Sequence, residues 1–496
     1  MSLISTYVQK ILIVGSGNAA LCAGIAALEK GAAVQVFEKA DEALSGGNTK
    51  YCAGAIRFTY ENTTDLLRLM PRNSDPRIKV SNFGSYTTEQ FERDMASFND
   101  GLSLSDEQKR LIVSSYETML WLTAHNVEFE PIFKRQSIFK DGVYHFWGGC
   151  PLVPVGEGPG LHKQELAEYI RLGGKILYQN EVVELLVNDQ SVIGLRTNSG
   201  EFYGDAIILA AGGFESDASA RAKYLGEKWR NAKVRGTPNN TGECMEMAFK
   251  LGAVSHGKFD GCHATPMDLY MKDFGNLDLE PGQRKNYRKI CYHLGLIVNK
   301  QGARFLDEGE NLRTYTYAQF GSRILDQPNG VAYQLFDAKV MDYLYEEYFF
   351  DDAHFEEAQT IDDLASKVEG INSDKLKETI SSFNAACDPA TQIDPSKLDG
   401  NCTKGLKIPK TNWAQRLDTP PFRAYPVTGG ISFTYGGLKV SDNGEVLRSD
   451  STPISGLYAC GEIVGGVFFG GYPGGAGLTA GAVFGRAAGY GAVRIS

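Results

Sequence analysis

The sequence predicts an α/β protein in which a Rossmann-like nucleotide-binding domain is split by an inserted α+β domain. Three observations support this fold class. A βαβ unit with a glycine turn stands near the N-terminus, glycine-rich segments recur as far as the C-terminus, and the stretch from about 257 to 415 contains more Tyr, Asp and Glu and fewer glycines. We therefore predict the first part of the nucleotide-binding domain at 1–256, the inserted domain at 257–415 and the second part at 416–496.

The first βαβ unit begins with the β-branched run Lys10–Val14. A glycine turn, Ala-rich helical periodicity through Lys30 and a second apolar run at 33–37 follow. The turn Gly15–Ala20 has the pattern G-x-G-x-x-A, and the acidic Glu38 ends the second strand. In a βαβ unit this pattern is typical of a dinucleotide site, whereas the hexapeptide alone could be a chance glycine turn.

Each position of the pattern has a physical role. Gly15 permits the tight turn, Gly17 lets the backbone approach a pyrophosphate, and the small Ala20 allows the helix to pack closely on the strand. The helix N-terminus supplies unpaired N–H groups and positive potential. Glu38 is expected to accept hydrogen bonds from ribose hydroxyls.

The remaining elements are predicted in chain order. We expect a glycine-rich loop at 44–58, one helical stretch at 86–122 and strands between 173 and 213. A polar stretch at 340–385 is predicted to be helical, and a last helix is expected to begin near 478.

The composition limits the classes of function. The chain has 496 residues, which is room for roughly three units of about 150 residues, and 22% charged with 43% hydrophobic residues indicates a globular chain. A net charge of −10 without a basic block argues against nucleic-acid binding. Nine Cys without a CxxC pair favour a reducing compartment and argue against zinc or an iron–sulfur cluster. Without a long apolar run or a secretory signal, we expect a cytoplasmic protein with no membrane span. Because neither the Cys nor the His residues have metal-ligand spacing, we expect no metal site.

Glycine-rich segments near 46, 212, 436, 461 and 474 all look suited to approach one ligand. This favours FAD over NAD, because FAD is the longer dinucleotide. The chain resembles the flavoprotein family that includes fumarate reductase, succinate dehydrogenase, ketosteroid dehydrogenase and tricarballylate dehydrogenase. The matching segments are Gly15–Ala20 with Glu38, Ser45–Thr49, Leu209–Glu215, Gly302–Glu308 and Gly456–Glu462.

The resemblance implies a split FAD-binding domain, a capping domain and a substrate held between them against the flavin ring. Family members with covalent flavin carry a His in the loop that corresponds to 48–52, and this chain has none there, so we expect noncovalent FAD. The cofactor contacts are expected from Gly15, Gly17, Asn18, Ala19, Ala20, Glu38, Lys39, Ser45, Gly46, Gly47, Asn48, Thr49, Val183, Ala211, Gly212, Gly461, Glu462, Gly477 and Leu478.

The resemblance also implies residues at the substrate. His263 matches a capping-domain His of fumarate-reductase relatives, and Arg313, five residues after Glu308, is similar to an Arg of those enzymes. A further His of those relatives is absent from 432–437, and Tyr472 stands where they have a C-terminal Arg. The sequence Tyr-Pro-Gly that begins at Tyr472 is similar to ketosteroid dehydrogenases, in which this Tyr polarises a ketone.

Several longer stretches resemble tricarballylate dehydrogenases, which oxidise a tricarboxylate to an alkene. Removing a proton beside a carboxylate builds negative charge, which requires fixed cations or donors, and Arg offers a bidentate fork. We therefore assign Arg313 as carboxylate clamp and candidate proton relay, His263 as carboxylate ligand and Tyr472 as donor to the activated oxygen. The matching stretches are 236–242, 305–309, 313–317, 334–339 and 433–440.

These assignments have structural alternatives. Arg313 could form an ion pair with Glu308 or Asp307, and His263 could be a satisfied core residue. The further candidates could likewise serve packing alone, namely Tyr315 and Tyr317 as bases and Arg57 and Arg235 as cations.

The resulting hypothesis is an FAD-dependent oxidoreductase that desaturates a tricarballylate-like polycarboxylate. The alternatives are a desaturase or ene-reductase of a cyclic 3-oxo compound, a fumarate-reductase-like enoate reductase, or a flavin-binding protein without turnover. The residues do not determine the direction of the reaction. Because the chain has no haem CxxCH motif and no cluster cysteines, electrons are expected to pass to a separate protein, a quinone or oxygen.

Overall fold

The computed structural model describes residues 7–272, 274, 285–395 and 397–493. The helices are α1 (Asn18–Glu29), α2 (Thr63–Leu69), α3 (Thr88–Ala96), α4 (Asp106–Ala124), α5 (Phe133–Gln136), α6 (Glu157–Arg171), α7 (Ala218–Leu225), α8 (Glu243–Lys250), α9 (Arg313–Leu325), α10 (Ile361–Lys367), α11 (Ser373–Ala386) and α12 (Ala476–Ala492). The strands are β1 (Lys10–Val14), β2 (Ala33–Phe37), β3 (Ser81–Asn82), β4 (Phe129–Pro131), β5 (Ser137–Lys140), β6 (Val143–Phe146), β7 (Leu152–Pro154), β8 (Lys175–Leu177), β9 (Val182–Asn188), β10 (Ser191–Thr197), β11 (Gly200–Tyr203), β12 (Ala206–Leu209), β13 (Lys233–Val234), β14 (Ser255–His256), β15 (Cys262–Asp268), β16 (Leu296–Asn299), β17 (Val331–Phe336), β18 (Glu356–Ala358), β19 (Phe422–Thr434), β20 (Gly437–Leu438), β21 (Glu445–Leu447) and β22 (Pro453–Ala459).

The first sheet has the predicted βαβ unit at its centre, which confirms the α/β fold class. Its strand order is β21-β22-β12-β1-β2-β8, and all neighbours except β21 and β22 run parallel. Ile11, Leu12 and Ile13 of β1 are all fully buried, as expected of a parallel strand covered on both faces. The carboxyl ends of β1 and β2 therefore meet at the N-terminus of α1.

Helix α12 joins the C-terminal segment to this N-terminal unit. A Cβ atom at Gly485 would lie 2.4 Å from the carbonyl oxygen of Ala19, and one at Gly489 would lie 2.2 Å from that of Ala23. The two glycines thus let α12 pack directly on the backbone of α1. The helix begins at Ala476, close to the predicted start.

The second sheet contains strands β15, β16, β17 and β18 of the inserted segment. Its strand order is β13-β19-β17-β16, and β15 and β18 also pair with β19. Strand β19 lies after the proposed boundary at 415, whereas β15 and β17 lie before it, so the sheet draws on both sides of that boundary. The division of the chain into 1–256, 257–415 and 416–496 stays a proposal.

Two helical predictions differ from the structure. The stretch 340–385 is not one helical region: it contains short 3-10 turns, strand β18 and the separate helices α10 and α11. Thr360 and Asn372 accept hydrogen bonds from the backbone at the starts of α10 and α11, which fixes two separate N-termini. Within 86–122, α3 and α4 are separated at Asp100 and Gly101, which both have positive φ.

None of the helices in the described part of the chain combines the length and the apolar character needed to cross a lipid bilayer.

Candidate active site

A cavity of about 330 Å³ lies at the carboxyl ends of β1 and β2 and extends to the start of α9. One end is lined by the predicted dinucleotide residues, and the other by arginine, histidine and tyrosine side chains. Ligands of open α/β sheets bind at this edge, outside the carboxyl ends of the strands. The cavity therefore contains both the expected cofactor site and the expected substrate site.

The glycine turn forms a backbone cradle at the dinucleotide end. Gly15 has φ +100°, and a Cβ atom there would lie 2.4 Å from the carbonyl oxygen of Ala210, so only glycine fits. Gly17 caps α1 without a side-chain hydrogen bond, which leaves N–H groups of the first helical turn open to the cavity. The Thr49 hydroxyl accepts a hydrogen bond of 3.0 Å from the backbone N–H of Asn18. This arrangement suits a pyrophosphate.

Glu38 lies at the end of β2, where the fingerprint requires an acidic residue. Its carboxylate accepts a 2.5 Å hydrogen bond from the Ser16 hydroxyl and a 2.8 Å hydrogen bond from the backbone N–H of Ala40. These contacts hold the carboxylate at the cavity wall, where it can accept further hydrogen bonds from a ribose. The cradle and this carboxylate together fit a dinucleotide such as FAD.

Most of the predicted cofactor residues line the cavity, and four do not. Ala20 is fully buried against the sheet, and Gly46 donates its N–H to the Ser16 hydroxyl at 3.0 Å. Val183 is 51% exposed, whereas its neighbour Val182 lines the cavity, because successive side chains of a strand point to opposite faces. The fourth is Ser45. The predicted residues that do line it are Gly15, Gly17, Asn18, Ala19, Glu38, Lys39, Gly47, Asn48, Thr49, Ala211, Gly212, Gly461, Glu462, Gly477 and Leu478.

Three guanidinium groups converge at the other end of the cavity, those of Arg235, Arg288 and Arg313. Arg313 lies over the Tyr345 ring at 5.1 Å, and within the described residues it has no carboxylate partner. Arg235 donates to the Ser432 hydroxyl at 2.9 Å and likewise has no carboxylate partner in the same ranges. Two unneutralised cations therefore face the cavity.

The acidic residues near Arg313 in sequence are engaged elsewhere. Glu308 forms an ion pair with Arg304 and accepts a 2.9 Å hydrogen bond from the backbone N–H of Ile297. Asp307 accepts hydrogen bonds from backbone N–H groups, including that of Gly309 at 2.8 Å. The guanidinium of Arg313 is consequently left to the cavity.

Arg288 is a cavity residue that the sequence did not suggest. Its guanidinium donates to the buried carboxylate of Glu347 at 3.2 and 2.5 Å. The two residues are 59 positions apart, so no local pattern pairs them. An isolated β-bridge between Arg288 and Met267 and the ion pair with the 3-10 turn at 346–348 place Arg288 at the cavity.

His263 is buried beside these arginines and is uncharged. Burial holds its pKa well below the usual 6.5, and the positive charges of Arg235 and Arg288 lower it further. Its ring lies 5.0 Å from that of Tyr317 and 5.1 Å from that of Tyr472. At neutral pH the imidazole can therefore form hydrogen bonds with a substrate without adding charge.

Tyr472 presents a polarised hydroxyl to the cavity. Its oxygen accepts hydrogen bonds from the backbone N–H groups of Gly475, at 2.8 Å, and Gly477, at 3.2 Å. The hydroxyl hydrogen is thus available to donate to a bound oxygen. Burial raises the pKa of the Tyr472 phenol, which keeps it protonated.

Tyr315 and Arg57, by contrast, do not line the cavity. The Tyr315 hydroxyl donates to Asp94 at 3.2 Å, and burial together with this carboxylate raises its pKa to about 12. Arg57 is buried, binds the same carboxylate at 3.1 Å and donates to the carbonyl oxygen of Gly474 at 2.7 Å. Tyr317, two residues after Tyr315, does line the cavity.

Comparisons with known proteins show the family of the chain and the similarity of its fold. The family model described as "FAD binding domain" matches residues 10–478. Urocanate reductase of Eggerthella lenta is 26% identical, over 98% of this chain and 75% of its own length. The fold is similar to the open conformation of a flavocytochrome c3 fumarate reductase, with a TM-score of 0.71 and 23% identity over 98% of this chain and 78% of that one. It is also similar to 3-ketosteroid-Δ4-(5α)-dehydrogenase from Rhodococcus jostii RHA1, with a TM-score of 0.69 and 21% identity over 99% and 98% of the two chains.

Proposed function

Because the chain belongs to the FAD binding domain family and is an FAD-dependent oxidoreductase of CH–CH groups, we propose that its substrate is an anion with a carboxylate beside the reacting carbons. The observation that supports this most is the pair of cations, Arg235 and Arg313, which face the cavity without carboxylate partners in the described part of the chain. Both side chains are half-buried, and a substrate that displaces water from them must compensate their charge with an anion. The substrate is the natural source of that anion.

The residues present divide the chemistry between them. Arg235 and Arg313 hold the carboxylate and stabilise the negative charge that builds on it when the neighbouring C–H loses a proton. Tyr472 donates a hydrogen bond to the same developing charge, and neutral His263 orients the substrate. Bound FAD supplies the two-electron acceptor or donor of the reaction.

Tyr317 is the proposed proton-transfer residue, in place of Tyr315. Tyr317 lines the cavity, whereas the Tyr315 hydroxyl is bound to Asp94. Burial raises the pKa of Tyr317, but Arg235, Arg288 and Arg313 all act in the opposite direction. The net shift is upward, so the phenol holds its proton at neutral pH and can give it to the substrate in the direction of reduction.

The finer proposals concern substrate, cofactor attachment and electron acceptor. A tricarballylate-like polycarboxylate fits a cavity end with three arginines, and this substrate stays a prediction. We propose noncovalent FAD, because the side chains that line the cavity from the loop at 48–52 include no His. The electrons are proposed to pass to a separate protein, a quinone or oxygen.

A second candidate is desaturation or reduction of a cyclic ketone. The observation in its favour is the Tyr472 hydroxyl, whose oxygen accepts from two backbone N–H groups and whose hydrogen can polarise a ketone oxygen. This candidate uses the same cofactor and differs in what the arginines do. A ketone without a carboxylate leaves Arg235 and Arg313 uncompensated.

The test is an anaerobic screen of the FAD-loaded protein. Tricarballylate, succinate and 3-oxo cyclic compounds are added separately, and bleaching of the flavin absorbance is recorded. The photoreduced protein is then mixed with unsaturated carboxylates or cyclic enones, and recovery of the oxidised spectrum is followed. We expect carboxylates to react in at least one direction. A reaction with uncharged cyclic ketones alone would contradict the carboxylate proposal.

A further inference from the structure

Glu215 and Glu462 form a carboxyl pair in the wall of the cavity. A Cβ atom at Gly213 would lie 2.2 Å from Glu462 Oε1 and 2.9 Å from Glu215 Oε2, so both carboxyl groups crowd the same glycine. Glu215 is fully buried, and Glu462 lines the cavity. The amide Nδ2 of Asn240 donates to both groups, at 2.7 Å to Glu215 and 3.4 Å to Glu462.

The other donors around the pair are also neutral. Asn48 Nδ2 donates to Glu215 at 2.8 Å, and the backbone N–H of Thr434 donates to Glu462 at 2.8 Å. Across the described residues, no Lys, Arg or His forms an ion pair with either carboxyl group. The buried guanidinium of Arg221 donates instead to the backbone carbonyl oxygen of Glu215, at 2.6 Å. Two adjacent carboxylates without a cation cannot both stay ionised in a buried site, as dyads of carboxyl groups in other proteins illustrate.

One oxygen of the pair shows where the proton lies. Glu215 Oε2 is buried and has no hydrogen-bond donor in the described part of the chain other than a protonated Glu462. Burial raises the pKa of both carboxyl groups, and the charge of Glu215 raises that of Glu462 further. Glu462 is therefore the protonated partner, and Glu215 is the acceptor.

We propose that Glu215 and Glu462 hold one proton between them and that this shared proton makes FAD binding depend on pH. Glu462 is then a positioning residue whose carboxyl group is protonated and uncharged where it faces the cofactor. The inference depends on FAD as the cofactor and is independent of the identity of the substrate.

Two physical effects couple the proton to the cofactor. FAD that fills the cavity removes water from the open side of Glu462, which penalises an ionised carboxylate. The FAD diphosphate is itself anionic, so a second negative charge in the same cavity is unfavourable. The protein that binds FAD must then hold the shared proton, and its affinity falls about tenfold for each pH unit above the apparent pKa of the pair.

The pair also reaches the arginine end of the cavity through Asn48. The Asn48 amide donates to Glu215 and, at 2.9 Å, to the carbonyl oxygen of Ser432. The hydroxyl of Ser432 in turn accepts from Arg235. Loss of the shared proton would therefore disturb a hydrogen-bonded wall that runs from the cofactor to the substrate residues.

The experiment measures the affinity of the apoprotein for FAD by flavin fluorescence between about pH 6 and about pH 9. Gln reproduces a protonated Glu, because its amide donates one hydrogen bond at the same position. We expect Kd of the wild type to rise about tenfold per pH unit above the apparent pKa. Glu462→Gln should keep the low-pH affinity over the whole range.

Glu165→Gln is the matched control. Glu165 is fully buried and its pKa is raised by burial as well, but it does not line the cavity. This variant should show the same pH dependence of FAD affinity as the wild type. A wild-type affinity that stays constant over the range, or a Glu462→Gln variant that follows the wild-type curve, would overturn the proposal.

A second measurement, infrared spectroscopy, detects the shared proton directly and does not require variants at Glu215 or Glu462 to bind FAD. Infrared spectra of the Glu165→Gln protein at about pH 7 should contain the carbonyl band of a protonated carboxyl group, because exposed carboxyl groups are ionised at that pH. The band should be absent from the double variant that also carries Glu462→Gln. Its absence from the Glu165→Gln protein itself would show that the pair holds no proton, which would also refute the proposal.

Discussion

Replacement of Arg313 by Met tests the carboxylate clamp most directly. Met keeps an apolar stem of similar length over the Tyr345 ring, where the guanidinium lies at 5.1 Å, and removes the charge. Because Arg313 forms no ion pair within the described ranges, its removal leaves no buried protein carboxylate unpaired. The loss should therefore appear in the reaction with substrate and not in the folding of the protein.

The expected magnitude follows from the contacts that are lost. A hydrogen bond to a charged group contributes about 1.5–3 kcal/mol, so a bidentate contact with a carboxylate contributes about 3–6 kcal/mol. At about 1.4 kcal/mol per factor of ten, the specificity constant for a carboxylate substrate should fall roughly 10²- to 10⁴-fold. Arg313→Lys keeps the positive charge but cannot form the bidentate contact of a guanidinium, so it should lose roughly half of this binding free energy.

Anaerobic stopped-flow bleaching of bound FAD, measured against substrate concentration, gives this constant for each variant. Arg323→Met is a suitable control, because Arg323 lies on the same helix α9 and pairs with Glu310 at 2.8 Å away from the cavity. Its kinetics should match those of the wild type. If Arg313→Met reacts within about tenfold of the wild type, the clamp assignment is wrong.

Three further predictions address the hydroxyl donor, the glycine turn and a buried lysine. Tyr472→Phe should slow flavin reduction roughly 10²-fold with FAD content unchanged, and a normal single-turnover rate would assign Tyr472 to packing alone. Gly15→Ala should abolish FAD binding, because its Cβ atom would lie 2.4 Å from the backbone carbonyl oxygen of Ala210. Gly173→Ala is the control, because Gly173 has a similar φ of +97° but no atom close to the added Cβ, so it shows the effect of backbone strain without the clash. Full FAD content in Gly15→Ala would contradict the prediction. Burial lowers the pKa of Lys410 to about 8, whereas its ordinary value is near 10.4. Between these two pH values the unfolded chain binds a proton that the folded chain lacks. The free energy of unfolding should therefore rise with pH in this range, by up to about 1.4 kcal/mol per pH unit. Urea denaturation should show this rise reduced in Lys410→Met, and an unchanged slope would refute the assignment.

The sequence was sufficient where the determining interactions are local. The bounds of β1, α1 and β2 follow from a β-branched run, a glycine turn and helical periodicity, and each of these acts within a few residues. The same local pattern identified Gly15, Gly17 and Glu38 at the cavity. The prediction of one helical stretch at 340–385 was wrong, because N-terminal caps at Thr360 and Asn372 begin two separate helices. Composition alone does not reveal these caps.

The site residues that sequence reasoning missed depend on long-range packing or on single-residue register. Val183 was predicted and Val182 lines the cavity, because adjacent side chains of β9 point to opposite faces. Side chains two positions apart on a helix point in directions about 200° apart around the helix axis. Tyr317 therefore reaches the cavity while Tyr315 does not. Arg288 is held at the cavity by a β-bridge to Met267 and by its ion pair with Glu347, and no pattern near any of these residues indicates either pairing.

Strand β19 has a mechanical consequence for the enzyme. It is a strand of thirteen residues that pairs with β17 at one end and carries Thr434, which donates to Glu462, at the other. It also pairs with β13, directly before Arg235. A rigid-body movement of the whole inserted segment would have to bend this strand or break its ladder of hydrogen bonds. Any opening that admits substrate should therefore move loops beside β19 and leave the strand in place.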